Sequence, residues 1–107
     1  MTSFVFLYSG GMGPEDMSEA ERNEVMAAWG AWYGKLGEAV IDGGSPFSLS
    51  KGVASDGTVS DSPTLAGATG YTVVAADSLE AAVALSEGHP HLAAGGEISI
   101  YETFQVM

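Results

Sequence analysis

The segment that decides the fold is ATGYTVVAADSLEAAVALSEG, residues 68–88. Its first part, residues 68–76, is rich in β-branched and aromatic side chains, which predicts a strand. Residues 77–80 (DSLE) have the pattern of a capping box, in which a side-chain oxygen starts a helix and a carboxylate follows three residues later. An alanine-rich run follows, and it predicts a helix from Leu79 to about Glu87 that the closing glycine ends. A strand therefore leads directly into a capped helix.

The first part of the chain repeats this order. The run SFVFLY, residues 3–8, predicts a strand, and SEAE, residues 18–21, is a second capping box. Apolar side chains then recur at helical spacing, which predicts an amphipathic helix from about Ser18 to Leu36; the stripe consists of Val25, Trp29, Trp32 and Leu36. Glycine is unfavourable inside a helix, and we expect Gly30 and Gly34 to allow close packing of this helix on a sheet.

The remaining segments complete an α+β pattern. We predict a second strand that starts at Ala39 to Asp42 and continues over residues 47–53, a hairpin turn at residues 55–58 with a short return strand, and a last strand from about Glu97 to Val106. The order is that of a ferredoxin-like βαββαβ domain with an extra β-hairpin, with both helices on one face of an antiparallel sheet. A chain of 107 residues is of the size of one domain, so we assign residues 1–107 to it.

The predicted inner strands carry apolar side chains on both faces. In the first strand Phe4, Phe6 and Tyr8 alternate with Val5 and Leu7. Helices can cover only one of these faces, so the other must be covered by something else. A second copy of the chain is the simplest cover, because two-fold self-association is the commonest assembly. We therefore expect a homodimer through the helix-free sheet faces, that is, a dimeric α/β barrel.

The composition excludes several classes of partner. Three basic residues stand against fourteen acidic ones, and the net charge is −11. Contact with the backbone of nucleic acid or with anionic lipid requires several basic side chains, so we expect neither partner. The absence of cysteine excludes disulfides and thiolate metal sites. The chain shows neither a signal-peptide pattern nor a long apolar run, which favours a cytoplasmic location.

The sequence resembles a known family, the YCII-related or DGPF-motif proteins, which are small bacterial domains. The resemblance covers nearly the whole chain. It depends on the joint order of several short motifs: the first strand ending in Tyr8, the tryptophan-containing first helix, IDGG at 41–44, DSPT at 61–64, Tyr71, DSLEAA at 77–82, and His89-Pro90 followed by Gly95-Gly96 and a terminal strand.

The resemblance implies a ferredoxin-like fold that dimerises through its sheet faces. It also implies that most members have no established activity, while some related proteins are small lyase-like enzymes, among them one that dehalogenates a chlorinated aromatic ring. In that enzyme a histidine on the first helix and an aspartate before the proline form the implied catalytic pair. This chain has no histidine in its first helix, has His89 before Pro90, and keeps only Asp61 and Pro63 of the DGPF motif.

The candidate site follows from these residues. His89 is the candidate acid or base, because the ordinary pKa of histidine lies near neutrality, and Asp61 is a second candidate catalytic group. Tyr8, Trp32, His91 and Asp42 are candidate substrate-binding residues. We expect a small-molecule ligand and no cofactor.

Other interpretations of the same residues stay open. A metal at His89 and His91 would need further ligands, for which Asp42 and Asp61 are the only candidates, so we predict no metal site. His89 can instead be a histidine of the turn that ends the second helix, and Asp61 a turn residue. Two functions follow: a small lyase- or dehalogenase-like enzyme acting on an aromatic or carbonyl compound, or a dimer that binds a small molecule without catalysis.

Overall fold

The computed structural model describes residues 2–65 and 67–105, which form a mixed α+β fold. The strands are β1 (Thr2–Gly10), β2 (Val40–Asp42), β3 (Gly52–Val53), β4 (Val59–Ser60), β5 (Ala68–Ala76) and β6 (Gly96–Glu102). The helices are α1 (Glu19–Leu36), α2 (Leu79–Leu85) and α3 (Pro90–Ala93), with 3-10 turns at Pro14–Asp16 and Gly37–Ala39. The prediction of an α+β domain with an antiparallel sheet is confirmed.

The main sheet has four strands in the order β2-β5-β1-β6, and all neighbouring strands are antiparallel. The first strand lies between two later ones: Phe4 pairs with Val74 of β5 on one side and with Glu102 of β6 on the other. Strands β3 and β4 form a separate two-stranded hairpin. This order brings Tyr8, at the end of β1, close to the chain that enters β6.

The core lies between one face of the sheet and the two longer helices. Alternate residues of β1 and β5 are buried there, as the period of a strand requires, and side chains of α1 and α2 cover them. The buried apolar residues are Phe4, Phe6, Tyr8, Trp32, Leu36, Val74, Ala76 and Ala82. Ile98 and Ile100 of β6 are partly buried and pack against this core.

The start of α1 is as the sequence predicts. Ser18 accepts a hydrogen bond from Glu21 N, and the Glu21 carboxylate accepts one from Ser18 N, which completes a capping box. The expectation for Gly30 and Gly34 is wrong: a Cβ built on either would meet no atom within 4 Å. Both lie on the exposed side of the helix, so neither is required for packing on the sheet.

Several boundaries differ from the prediction. β2 stops at Asp42, since Gly44 turns the chain with a φ of 74°, and residues 47–51 are not in a strand. Helix α2 begins at Leu79 as predicted, but its N-cap is Ser78, whose side chain accepts from Ala81 N, rather than Asp77, and it ends at Leu85 instead of near Glu87. β6 ends at Glu102, where its pairing with β1 ends. The predicted position Val106 is outside the described residues.

Two apolar surfaces of the single chain are incompletely covered. On the helix-free face of the sheet, Val5 of β1 pairs with Val73 of β5, and both side chains are only half-buried. Residues 45–65, which we call the arm, are exposed apart from Gly52. The arm carries Phe47, Leu49, Val53, Val59 and Leu65 as exposed large apolar side chains.

The outline of the molecule reflects this arrangement. Its principal extents are 43 × 40 × 18 Å, and its radius of gyration is 15.3 Å, whereas a compact chain of this length would have about 13 Å. A single helical layer on the sheet and a projecting arm account for the flat shape. In the part of the chain that the structure describes, no helix is long and apolar enough to cross a membrane.

Candidate functional site

The candidate site centres on His89, which is the N-cap of the short helix α3. Its Nδ1 accepts a hydrogen bond of 3.0 Å from His91 N, and Pro90 occupies the first helical position, where proline is favoured. His89 also belongs to the turn that follows the second helix, because its N–H donates to Ser86 O over 3.0 Å. The structure adds a role that the sequence did not predict, since Pro90, which cannot continue one helix, starts another.

A chain of directed hydrogen bonds runs from His89 into the sheet. Since Nδ1 accepts from His91 N, the proton of the neutral ring is on Nε2, which lies 2.9 Å from Tyr8 Oη and donates to it. Tyr8 then donates to Thr72 Oγ1 over 2.8 Å, and Thr72 donates to Gly43 O over 3.2 Å. Each buried side-chain polar atom in this series of hydrogen bonds has a partner, so its burial does not carry the free-energy cost of an unsatisfied group.

Aromatic side chains enclose the His89 ring. Trp32 and Trp29 of α1 have ring centroids 4.2 and 4.6 Å from it, and Tyr8 lies 5.1 Å away. Trp32 is itself held by a hydrogen bond from Nε1 to Leu85 O of α2. His89, Trp32 and Tyr8 are 1%, 3% and 4% exposed, so none of these rings faces an open cleft.

This environment keeps both central groups neutral. Burial, together with the nearby His91, lowers the pKa of His89 to about 4. Protonation at Nδ1 would also remove the acceptor that caps α3. Burial raises the pKa of the Tyr8 phenol, so it keeps its proton at neutral pH. In this arrangement His89 is a weak base whose Nδ1 lone pair is already occupied.

His91 anchors the neighbouring backbone. Its Nε2 lies 2.8 Å from Ser9 O and donates to it, which ties α3 to the end of β1. The ring fits only because two glycines leave room: a Cβ at Gly96 would overlap the ring, and one at Gly11 would lie 3.0 Å from Cε1. Gly96 is therefore required by a side chain, since its own φ is not positive.

The structure brings some of the predicted site residues together and leaves others apart. Tyr8, Trp32 and His89 form one cluster, and His91 lies beside it with its ring centroid 5.1 Å from that of Tyr8. Asp42 instead lies near the helix-free side, where Tyr71 Oη donates to it over 3.3 Å.

Asp61 lies on the arm and does not join the cluster. Its carboxylate forms an ion pair with Lys51 at 2.6 Å, and its side chain is 95% exposed. Among residues 2–65 and 67–105, no three His, Cys, Asp or Glu side chains are arranged to hold a metal ion.

Thr72 is the member of the network that the sequence did not single out. It is fully buried, although it is polar. Its signal in the sequence is weak, because a threonine within the apolar run 71–76 is also an ordinary strand former. Only the register that places Phe6 opposite Thr72 shows that this hydroxyl reaches Tyr8.

Comparison with known proteins gives no relative. No protein-family model matches the chain, and neither a curated protein nor a solved structure does. What the site can do therefore follows from its own geometry. A closed, neutral and fully hydrogen-bonded network can position α3 and β1 against each other, and it can carry a proton only if His89 is first exposed to a donor.

Proposed function

We propose that the chain is a YCII-related domain of ferredoxin-like fold that acts as a homodimer and binds a small molecule without catalysis. The observation that carries the non-catalytic assignment is the state of His89, which is 1% exposed and has partners at both ring nitrogens. A general base needs an available lone pair within reach of a substrate. Neither condition is met at this ring.

The ferredoxin-like assignment is supported by connectivity. Helix α1 lies between β1 and β2 in the chain, and α2 lies between β5 and β6. In space β1 and β5 are the central strands and β2 and β6 the edges. The hairpin β3-β4 is then an insertion between the second and third strands of the ferredoxin-like sheet.

The homodimer, and with it a dimeric α/β barrel, is supported by the two incompletely covered surfaces. Half-buried apolar residues on the sheet face, such as Val5 and Val73, are continuous with the arm, because Phe47 stacks on Tyr71 with ring centroids 6.0 Å apart. The arm carries Lys51, Asp56 and Asp61, that is +1 and −2, so it contributes only −1 to the net charge of −11. Two such strongly acidic chains repel each other least where they are least charged.

A pair of valine substitutions tests the dimer. Val5→Lys places a charge on the sheet face, and Val83→Lys places the same charge on the exposed side of α2. Lysine reduces the net negative charge, so a loss of association cannot come from added overall repulsion. We expect sedimentation at micromolar concentration to give a dimeric mass for the wild type and Val83→Lys, and a monomeric mass for Val5→Lys. A monomeric wild type overturns the proposal.

A small lyase- or dehalogenase-like enzyme acting on an aromatic or carbonyl compound is the second candidate. It is favoured by the convergence of Tyr8, Thr72 and His89. Burying such a hydrogen-bonded series of polar groups in a core costs more free energy than apolar packing, so their presence there favours a function. The substitution His89→Asn decides between the two, because asparagine keeps an acceptor for His91 N but has no titrating nitrogen. Release of chloride from small chlorinated aromatic compounds that His89→Asn abolishes, with the fold intact, would establish the enzyme.

A further inference from the structure

A groove lies on the helical side of the molecule, separate from the closed network. Its volume is about 330 Å³, which is within the range of small-molecule sites. The loop after β1 supplies Met12 and Met17, α1 supplies Val25 and Ala28, and α3 supplies Pro90 and Ala93. The methionine side chains are flexible and polarisable, and they adapt to ligands of irregular shape.

The walls of the groove are held in place before any ligand binds. The guanidinium of Arg22 donates from Nη1 to Pro14 O over 3.1 Å and to Met17 O over 2.7 Å. The backbone N–H of Met12 donates to Ala94 O over 3.3 Å. The loop is thus tied to α1 at one end and to α3 at the other. A preformed wall lowers the ordering cost of binding.

The charges at the groove are of one sign. Glu21 and Glu24 of α1 line it beside the apolar residues. Hydrogen bonds from Ser18 lower the pKa of Glu21, so its carboxylate is ionised at neutral pH. The basic side chain of Arg22, which lies on the same helix, is engaged with the loop carbonyls. The two carboxylates repel an anion, and they give a neutral ligand no electrostatic attraction.

We propose that this groove binds a small organic ammonium ion with an apolar body, with the body between Met12, Met17 and Pro90 and the ammonium group facing Glu21 and Glu24. This inference rests on the proposed binding function and supplies its ligand class. Ala28 and Pro90, which line the groove, are the neighbours in the chain of Trp29 and His89.

Three probes of nearly equal shape test the ligand class. Benzylammonium, benzyl alcohol and benzoate are titrated into the wild-type protein in phosphate buffer of low ionic strength, and methyl resonances of Ala28 and Ala93 are followed by NMR. We expect benzylammonium to bind roughly 5-fold more tightly than the alcohol, from two exposed carboxylates, and benzoate to bind most weakly. Equal affinities for ammonium and alcohol, or no shift with any probe, overturn the inference.

Matched variants test the site. Glu24→Gln should weaken benzylammonium binding about 2- to 5-fold and leave the alcohol unchanged, whereas Glu19→Gln removes the same charge from a residue of α1 that does not line the groove and should change neither. Ala28→Leu should abolish binding of both by filling the groove. Unchanged affinity in Ala28→Leu refutes binding in this groove but does not contradict the proposed binding function. Conversely, turnover that depends on His89 refutes the proposed non-catalytic function but does not contradict binding in the groove.

Discussion

At the scale of the residue, His89 couples a local cap to a long-range contact. One ring nitrogen accepts from His91 N, two residues away, and the other donates to Tyr8, at the end of a distant strand. A protonated ring could make only the second of these bonds. The cap of α3 and its attachment to β1 therefore depend on the same neutral side chain.

This coupling predicts a pH dependence of stability. The pKa of His89 is lowered to about 4 in the folded protein, whereas the ordinary value in the unfolded chain is about 6.5. Between these values the unfolded chain binds a proton that the folded chain does not, so the free energy of unfolding falls as the pH falls from 6.5 to 4. At about 1.4 kcal/mol for each pH unit, the loss between pH 7 and pH 5 is about 2 kcal/mol.

Urea unfolding of the wild type and His89→Asn at pH 7 and pH 5, at one protein concentration, measures this loss. Asparagine keeps the cap acceptor and lacks the titration, so the variant should lose about 2 kcal/mol less than the wild type over this interval. The two proteins share every other ionisable group. An equal loss in both would assign the pH dependence to those other groups.

At the scale of the element, Gly34 and Gly96 have opposite effects on stability, and the sequence pattern around them does not show this. Gly34 lies in α1 with open space around it, whereas Gly96 begins β6 against the His91 ring. Gly34→Ala should raise the free energy of unfolding by up to about 1 kcal/mol, because alanine is the better helix former. Gly96→Ala should lower it by roughly 1–3 kcal/mol, because the ring must leave its position.

A double-mutant cycle isolates the reason. In the background His91→Ala the ring is absent, so Gly96→Ala should cost much less than in the wild type, with a coupling energy of about 1 kcal/mol or more. Thermal unfolding of the four proteins measures this. If the two substitutions are additive, the backbone of β6 rather than the His91 ring requires glycine.

Sequence patterns predict the elements better than their junctions. The strands at 3–8 and 68–76, and the capped helix α1, follow from periodicity and from Ser18, which are local signals. The role of His89 does not, because an N-cap requires an extended backbone at that residue and a helical one after it, and Pro90 is compatible with both a stop and a start. The network through Thr72 depends on strand register, which joins residues far apart in the chain.

At the scale of the whole molecule, the arm distinguishes the single chain from the proposed dimer. Leu49 is 96% exposed, and Leu92, on α3, is 44% exposed. An apolar side chain buried only in the dimer contributes to association and not to the stability of the single chain.

Leu49→Ser should therefore weaken the dimer about 10-fold, which corresponds to about 1.4 kcal/mol of apolar burial. Leu92→Ser removes the same side chain from the helical side and should leave the dissociation constant unchanged. Sedimentation equilibrium over a range of concentrations measures both constants. Equal dissociation constants for Leu49→Ser and the wild type would show that the arm is not part of the dimer interface.

The central position of β1 has a consequence for the chain while it is being synthesised. β1 is made before both of its neighbours in the sheet, β5 and β6. Until β5 and then β6 have left the ribosome, the sheet cannot be completed, and the run SFVFLY lacks first both and then one of its partners in the sheet. Contacts so distant in the chain slow folding, and an unpaired apolar strand is open to aggregation meanwhile. The nascent chain thus depends on strands that are made later to protect β1.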